Sequence, residues 1–295
     1  MSSLLVCAQP ATGPAFVPGE APALLLKRLG TEPRLTRVTQ ASHLEVRPAP
    51  EKVSTGIAEI DALTGGLPRG CLTEIYGPAS SGRSSLLLTA LAAATERQEA
   101  CALVDASDAF DPQSAAAAGM NFRNLLWVRC QSQPPKSKKF SKQKQASAAQ
   151  QKLQYYVAER EKNFELSRLE QVMKATDLLL QSGGFGLVAL DLGDISLPAA
   201  RRIPLTSWFR FRRAVENTPT VLLVIGQGPC ARTCASLLLQ LEAQAQGMNR
   251  ECSSPTHTQL LNGLSVHAEV VRSRMDRKPA QSVSTKFGSQ ALWAG

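Results

Sequence analysis

Residues 77–84, Gly-Pro-Ala-Ser-Ser-Gly-Arg-Ser, constrain the chain more than any other stretch. They follow a short apolar strand pattern, Leu72–Tyr76, and precede a Leu- and Ala-rich helical pattern, Ser85–Arg97. Glycines at the two ends let backbone N–H groups turn inward around phosphate oxygens, and the following helix adds the positive end of its dipole. A basic residue at position 83 adds a charge, and the hydroxyl at position 84 is placed for magnesium. The alternative is an ordinary strand–turn–helix with two glycines. The loop departs from the usual pattern at its most important side chain, where Arg83 stands in place of lysine. A planar guanidinium is broader than an ammonium, so phosphate binding survives the exchange better than phosphoryl transfer does.

The rest of the chain alternates strand and helix signals. Strands are expected at Ala100–Ala106, Asn124–Cys130, the GFGLVALDL run, Thr220–Gln227 and Gly263–Arg274, with a last edge strand in STKFGSQALW. Helices are expected at Ser114–Met120, Leu153–Gln181 and Leu205–Glu216, and across residues 231–245. Residues 248–258 read as a loop. Continuous apolar strands separated by helices argue an α/β domain with a mostly parallel sheet flanked by helices. The 295 residues, 43 % of them apolar, suffice for such a core. No apolar run reaches the roughly 18–20 residues of a membrane span. Seven scattered cysteines, and an N-terminus without a charged lead, give the expectation of a reducing cytoplasm. Pro48 and Pro50 mark a boundary after a partly disordered lead-in, 1–48.

A carboxylate at the end of a buried strand would complete a nucleotide site, and Asp191 fits that place; its alternative is the cap of the next turn. Asp194 reads as a turn residue. Residues 131–152 break the pattern as a Gln/Lys/Ser insert with no apolar period, and read as disordered. The stretch 131–163 holds eight basic and two acidic side chains, the largest share of a formal charge of +9. Lys136, Lys138, Lys139, Lys142 and Lys144 either contact a nucleic-acid backbone or form a solvated linker, and Phe140 could stack on a base. A second cluster, Arg201, Arg202, Arg210, Arg212 and Arg213, surrounds Trp208, Phe209 and Phe211. Leu205, Trp208, Phe209 and Val215 fall near one helical face, which favours core packing for Trp208. Arg272, Arg274, Arg277 and Lys278 form a third cluster. His267 alternates within a strand as a structural residue, and Cys230 and Cys234 lack further metal ligands.

STGIAEIDALTGGLPRGCLTEIYGPASSGRSSLLL (Ser54–Leu88) resembles the start of the RecA recombinase core. The resemblance continues through Ala102–Pro112, the strand ending at Asp191, the strand ending at Gln227 and GLSVHAEVVRSR, over residues 50–275 without the insert. It implies a RecA-like core at 49–275 and a basic tail at 276–295. It implies ATP and magnesium as ligands, held by Gly77, Ser80, Ser81, Gly82, Arg83, Ser84 and Ser85. Ser84 and Asp191 would lie on the metal side, Asp111 near adenine, and Gln227 at the γ-phosphate. Three positions depart from the family. The water-activating glutamate position carries Ser107, with Asp108 one residue along as a substitute; the adenine-side aromatic is Ser114; the loop lysine is Arg83. A hydroxyl is a poor general base near neutral pH.

Leu197–Ile225 and CASLLLQLEAQAQ (Cys234–Gln246) resemble ImuA-like proteins, RecA-related accessory factors of the SOS response and translesion synthesis. The resemblance implies a nucleoid-associated cytoplasmic protein with weak or absent nucleotide hydrolysis. It implies a damage-polymerase-type partner or RecA, non-specific DNA contact, and self-association as a further property. An apolar, helical stretch after Gln227, where recombinases carry a DNA-binding loop, would favour a protein-binding surface. The alternatives are a divergent DNA-dependent ATPase using Arg83 and Asp108, and a DNA adaptor working through its insert.

Overall fold

The computed structural model describes residues 49–130, 148–244, 263–275 and 284–290 of the chain, with backbone alone at 148–164, 263–264 and 289–290. The expectations for the lead-in 1–48, for the lysines of 136–144, for the loop 248–258 and for the tail beyond Gln290 lie outside the described residues.

A small hairpin, β1 (Lys52–Val53) with β2 (Leu67–Pro68), brackets helix α1 (Ala58–Thr64). The main sheet follows. Its strands are β3 (Leu72–Tyr76), β4 (Cys101–Asp105), β5 (Leu125–Arg129), β6 (Leu187–Asp191), β7 (Val221–Gly226), β8 (Leu237–Ala243), β9 (Gly263–Ser273) and β10 (Ser284–Gln290). Helices α2 (Arg83–Glu96), α3 (Pro112–Ala117), α4 (Ala148–Ser182), α5 (Leu197–Ala200) and α6 (Leu205–Val215) connect them. The spatial order is β10-β9-β8-β3-β7-β6-β4-β5. The six strands from β5 to β8 run parallel, and β9 and β10 extend the sheet antiparallel. The chain therefore has the mostly parallel α/β sheet that its strand–helix alternation predicts.

Successive strand residues feed two apolar layers. Ile75, Leu103, Ala189, Leu223 and Leu239 pack with Leu86, Ala90 and Leu91 of α2. Leu72, Val104, Val188, Leu190 and Val224 pack with Leu169 and Val172 of α4 and with Trp208, Phe211 and Val215 of α6. No helix among the described residues is long and apolar enough to cross a membrane.

The structure corrects three expectations. Residues 231–245 are not helical: a single 3-10 turn at Arg232–Cys234 leads into strand β8. Its leucines and glutamines suit a helix locally, but Leu237, Leu239 and Leu241 also alternate, and pairing with β3 on one side and β9 on the other wins. The basis for a helical protein-binding surface after Gln227 goes with it. On α6, Phe209 is half exposed while Phe211 is fully buried, so the inward face is Trp208, Phe211 and Val215. Helix α4 begins at Ala148, inside the stretch expected to be disordered.

Candidate functional site

The C-terminal ends of β3, β4, β6 and β7 bring the expected site residues to one edge of the sheet, on the side that α2 covers. After Tyr76 the chain turns through Gly77–Gly82 into α2, with Ser80 at φ 60° and Gly82 at φ 84°. The Gly77 amide donates to the Gly226 carbonyl at 3.2 Å. Both glycines also answer to packing. A methyl group at Gly77 would sit on the Leu241 carbonyl, and one at Gly82 would meet Val266 Cγ2 at 2.6 Å. Strands β8 and β9 thus press on the loop from below and leave no room for side chains there.

Ser80 and Ser84 are exposed and Ser85 is half-buried. Ser81 is buried beside Gly77, and its Oγ has no hydrogen-bond partner among the described residues. Arg83, the first residue of α2, turns towards the end of β6. Its Nη1 donates to the Gly193 carbonyl at 3.3 Å. Burial lowers its pKa, against the pull of Asp191 and Asp194. Gln227 Nε2 donates to the same Gly193 carbonyl at 3.1 Å, so one oxygen joins the loop arginine to the strand-end glutamine. Asp191 accepts the Gly193 amide at 2.8 Å, which is the turn-capping arrangement. Burial pushes the Asp191 carboxyl up to about 6; Asp105 and Asp194 push the same way, and the Gly193 amide and Arg83 oppose them.

The opposite wall is built by Asp105, at the end of β4. Its two oxygens accept the amides of Ser107, Ala109 and Phe110 and the Trp127 indole N–H. This clamp fixes the turn that carries the departures from the recombinase pattern. Ser107 Oγ is buried without a hydrogen-bond partner among the described residues. Asp108, at φ 58°, forms a bidentate pair with Arg129 at 2.5 Å, and the Arg129 guanidinium stacks over Trp127 at 4.8 Å. Asp111 caps α3, accepting the amides of Gln113 and Ser114 and the Ser114 hydroxyl at 2.6 Å. Those bonds, the Ser114 hydroxyl first, hold its carboxyl below the usual range.

Between the walls lies a cleft of ≈ 160 Å³, lined by Arg83, Ser84, Leu87, Phe110, Asp111, Ser114, Asp191 and Gly193 among others. Whole-ligand clefts start at roughly 300 Å³. Arg83 and Ser84, at the mouth of α2, suit a phosphate group. The metal side fits less well, because the Asp191 carboxylate already takes the Gly193 amide and faces a guanidinium.

Arg201 and Arg202 are exposed in the turn after α5 and do not line the cleft. Two features escaped sequence reasoning. Gly193 acts through its backbone, which no side-chain pattern reports. Glu74 is fully buried in β3, where its Oε1 accepts the amides of Cys230 at 2.5 Å and Ala231 at 3.0 Å. A lone acid inside an apolar strand was the available signal. The side chains of Arg272 and Arg274 hold the carbonyls of Arg232 and Thr233. The segment after Gln227 is therefore strapped to β3 and β9, and burial keeps the Cys230 thiol well above its ordinary pKa.

A family model described as the RecA N-terminal domain matches residues 28–140. Protein RecA of Synechococcus sp. (strain CC9902) is 44 % identical over 93 residues, which are 31 % of this chain and 24 % of that protein. Protein RecA of Prochlorococcus marinus (strain MIT 9211) is 43 % identical over 93 residues, again 31 % of this chain and 24 % of that protein. Protein RecA of Wigglesworthia glossinidia brevipalpis is 29 % identical over 193 residues, covering 60 % of this chain and 47 % of that protein. The chain spans a quarter to a half of the length of these relatives, and over that span it is similar to them.

Proposed function

We propose that the chain is a RecA-like accessory protein of DNA repair and recombination, ImuA-like in kind, which keeps the nucleotide-loop core without working as a motor. The observation that carries this reading is the pairing of Arg83 with the Gly193 carbonyl instead of a lysine free to follow a transferring phosphate. Ser107 supports it, since its hydroxyl makes no hydrogen bond to a base among the described residues. ATP is the ligand this reading keeps, with Gln227 at its phosphate end; Ser84 and Asp191 are the residues a magnesium ion would need, and the Gly193 amide and Arg83 already occupy the surroundings of Asp191. Catalysis by Asp108 as substitute base would first require breaking its two bonds to Arg129.

The partners in this reading are a damage-polymerase-type protein or RecA itself, in the SOS response and translesion synthesis, with non-specific DNA contact. Lys136, Lys138, Lys139, Lys142 and Lys144, together with the exposed Arg201 and Arg202, would meet the phosphate backbone. The setting is the cytoplasm, at the nucleoid. The test is to titrate the protein into RecA bound to single-stranded DNA and to follow RecA's ATP turnover. A turnover that changes in proportion to the protein added is expected. Unchanged turnover, together with no binding to a purified translesion polymerase, would count against this role.

A further inference from the structure

We propose that Arg83 is a built-in cation, taking the place between the phosphate loop and the Asp191 carboxylate that a divalent metal would fill, so that the loop takes the phosphates of a nucleoside diphosphate or triphosphate without metal. This deepens the reading above and rests on it, because it assumes that the loop still receives phosphate.

Three features place the cation. Arg83 reaches across the cleft mouth to the Gly193 carbonyl, so the guanidinium is anchored on β6's side of the site rather than extended into solvent. A methyl group built on Gly193 would lie 2.9 Å from Asp191 Oδ1, 3.6 Å from Arg83 Nη1 and 3.9 Å from Arg83 Cζ, which puts carboxylate and guanidinium around one backbone atom. Asp194 lines the same cleft as Arg83 and adds a second negative charge near it. A divalent ion between Ser84 and Asp191 would sit against this positive charge in a half-buried setting, where like charges repel more strongly than in water.

The same arginine remains able to bind phosphate. A guanidinium carries five N–H donors in a plane, and Gly193 uses one. The others can meet phosphate oxygens, as arginine does wherever planar recognition of phosphate is needed. The loop adds Ser84, which lines the same cleft as Arg83. The first-turn amides of α2, a helix of 14 residues whose N-cap Gly82 offers no side-chain cap, lack intrahelical acceptors. A lysine ammonium is a compact point charge without the planar fork that Arg83 extends to Gly193, so the exchange bears on the metal requirement as well as on the charge geometry.

The experiment is calorimetric titration of the full chain with ADP, once in EDTA and once in magnesium chloride. Affinities agreeing within about twofold are expected for the natural chain. Arg83→Lys frees the carboxylates, and its binding should become about tenfold tighter with magnesium than with EDTA. Manganese read by electron paramagnetic resonance is a second probe: a bound signal with ADP should appear in Arg83→Lys and not in the natural chain. ADP binding that is lost in EDTA, or absent in both buffers, overturns the proposal, as does an Arg83→Lys protein that melts normally and stays indifferent to metal. Binding of ADP involves no turnover, so this result is separate from the success or failure of the accessory-protein reading.

Discussion

Asp105→Ala is expected to lower stability by about 4 kcal/mol and the melting temperature by roughly 8–16 °C. The carboxylate is fully buried at the end of β4, and it holds three backbone amides and the Trp127 indole at 3.0–3.3 Å. Alanine leaves those four donors without their acceptor where water does not reach them all. Hydrogen bonds to a charged group are worth more than neutral ones, and a buried donor left unpaired bears its full desolvation cost. The turn 107–110 would lose its shape, and with it Phe110, which packs against Trp127 at 5.0 Å and lines the cleft. Asp105→Asn keeps one carbonyl oxygen but turns an N–H₂ group towards donors, so an intermediate loss is expected. Urea unfolding checks both. An alanine variant that unfolds within about 1 kcal/mol of the natural chain would mean that the turn is held by something else.

Trp208→Ala is expected to cost about 3–5 kcal/mol. The ring is fully buried between the sheet and α6, edge-on to Phe211 at 6.1 Å, so alanine leaves a cavity under the helix. Trp208→Phe should cost much less. The indole Nε1 is buried with no acceptor, so removing it sheds an unpaired donor while most of the packing is kept. The pair of variants also separates two readings of the Arg- and aromatic-rich helix. With the ring wholly buried, single-stranded DNA binding by the folded Trp208→Phe protein should equal that of the natural chain. A variant of unchanged stability that loses DNA affinity would put the ring at the nucleic acid after all.

Where long-range pairing and local pattern agree, the elements were legible from residue types alone. Strand β3 was read at Leu72–Tyr76, and β7 was read one residue too long at each end, because apolar runs bounded by glycine or proline admit little else. Strand β8 was not legible, since LLLQLEA satisfies both periods and only its neighbours in the sheet decide. On α6 the error was one of register: Phe209 and Phe211 are both apolar, and which of them faces inward depends on how the helix rolls onto Trp208 and the sheet. The site shows the same division. The loop and Asp191 were named from their pattern and Gln227 through the resemblance, and they lie at one edge of the sheet. The carbonyl that joins Arg83 to Gln227, and the Arg129 partner that holds Asp108, belong to tertiary geometry and leave no mark in the motif.

The replaced lysine and the missing glutamate bear most directly on one quantity, ATP turnover by the purified full chain with and without single-stranded DNA. Release of phosphate that stays at the background of a protein-free control, and that DNA does not raise, is the expected result. Turnover stimulated by DNA to the level of a RecA sample measured alongside, and abolished by Arg83→Ala, would contradict a core that has kept its phosphate loop and given up the motor.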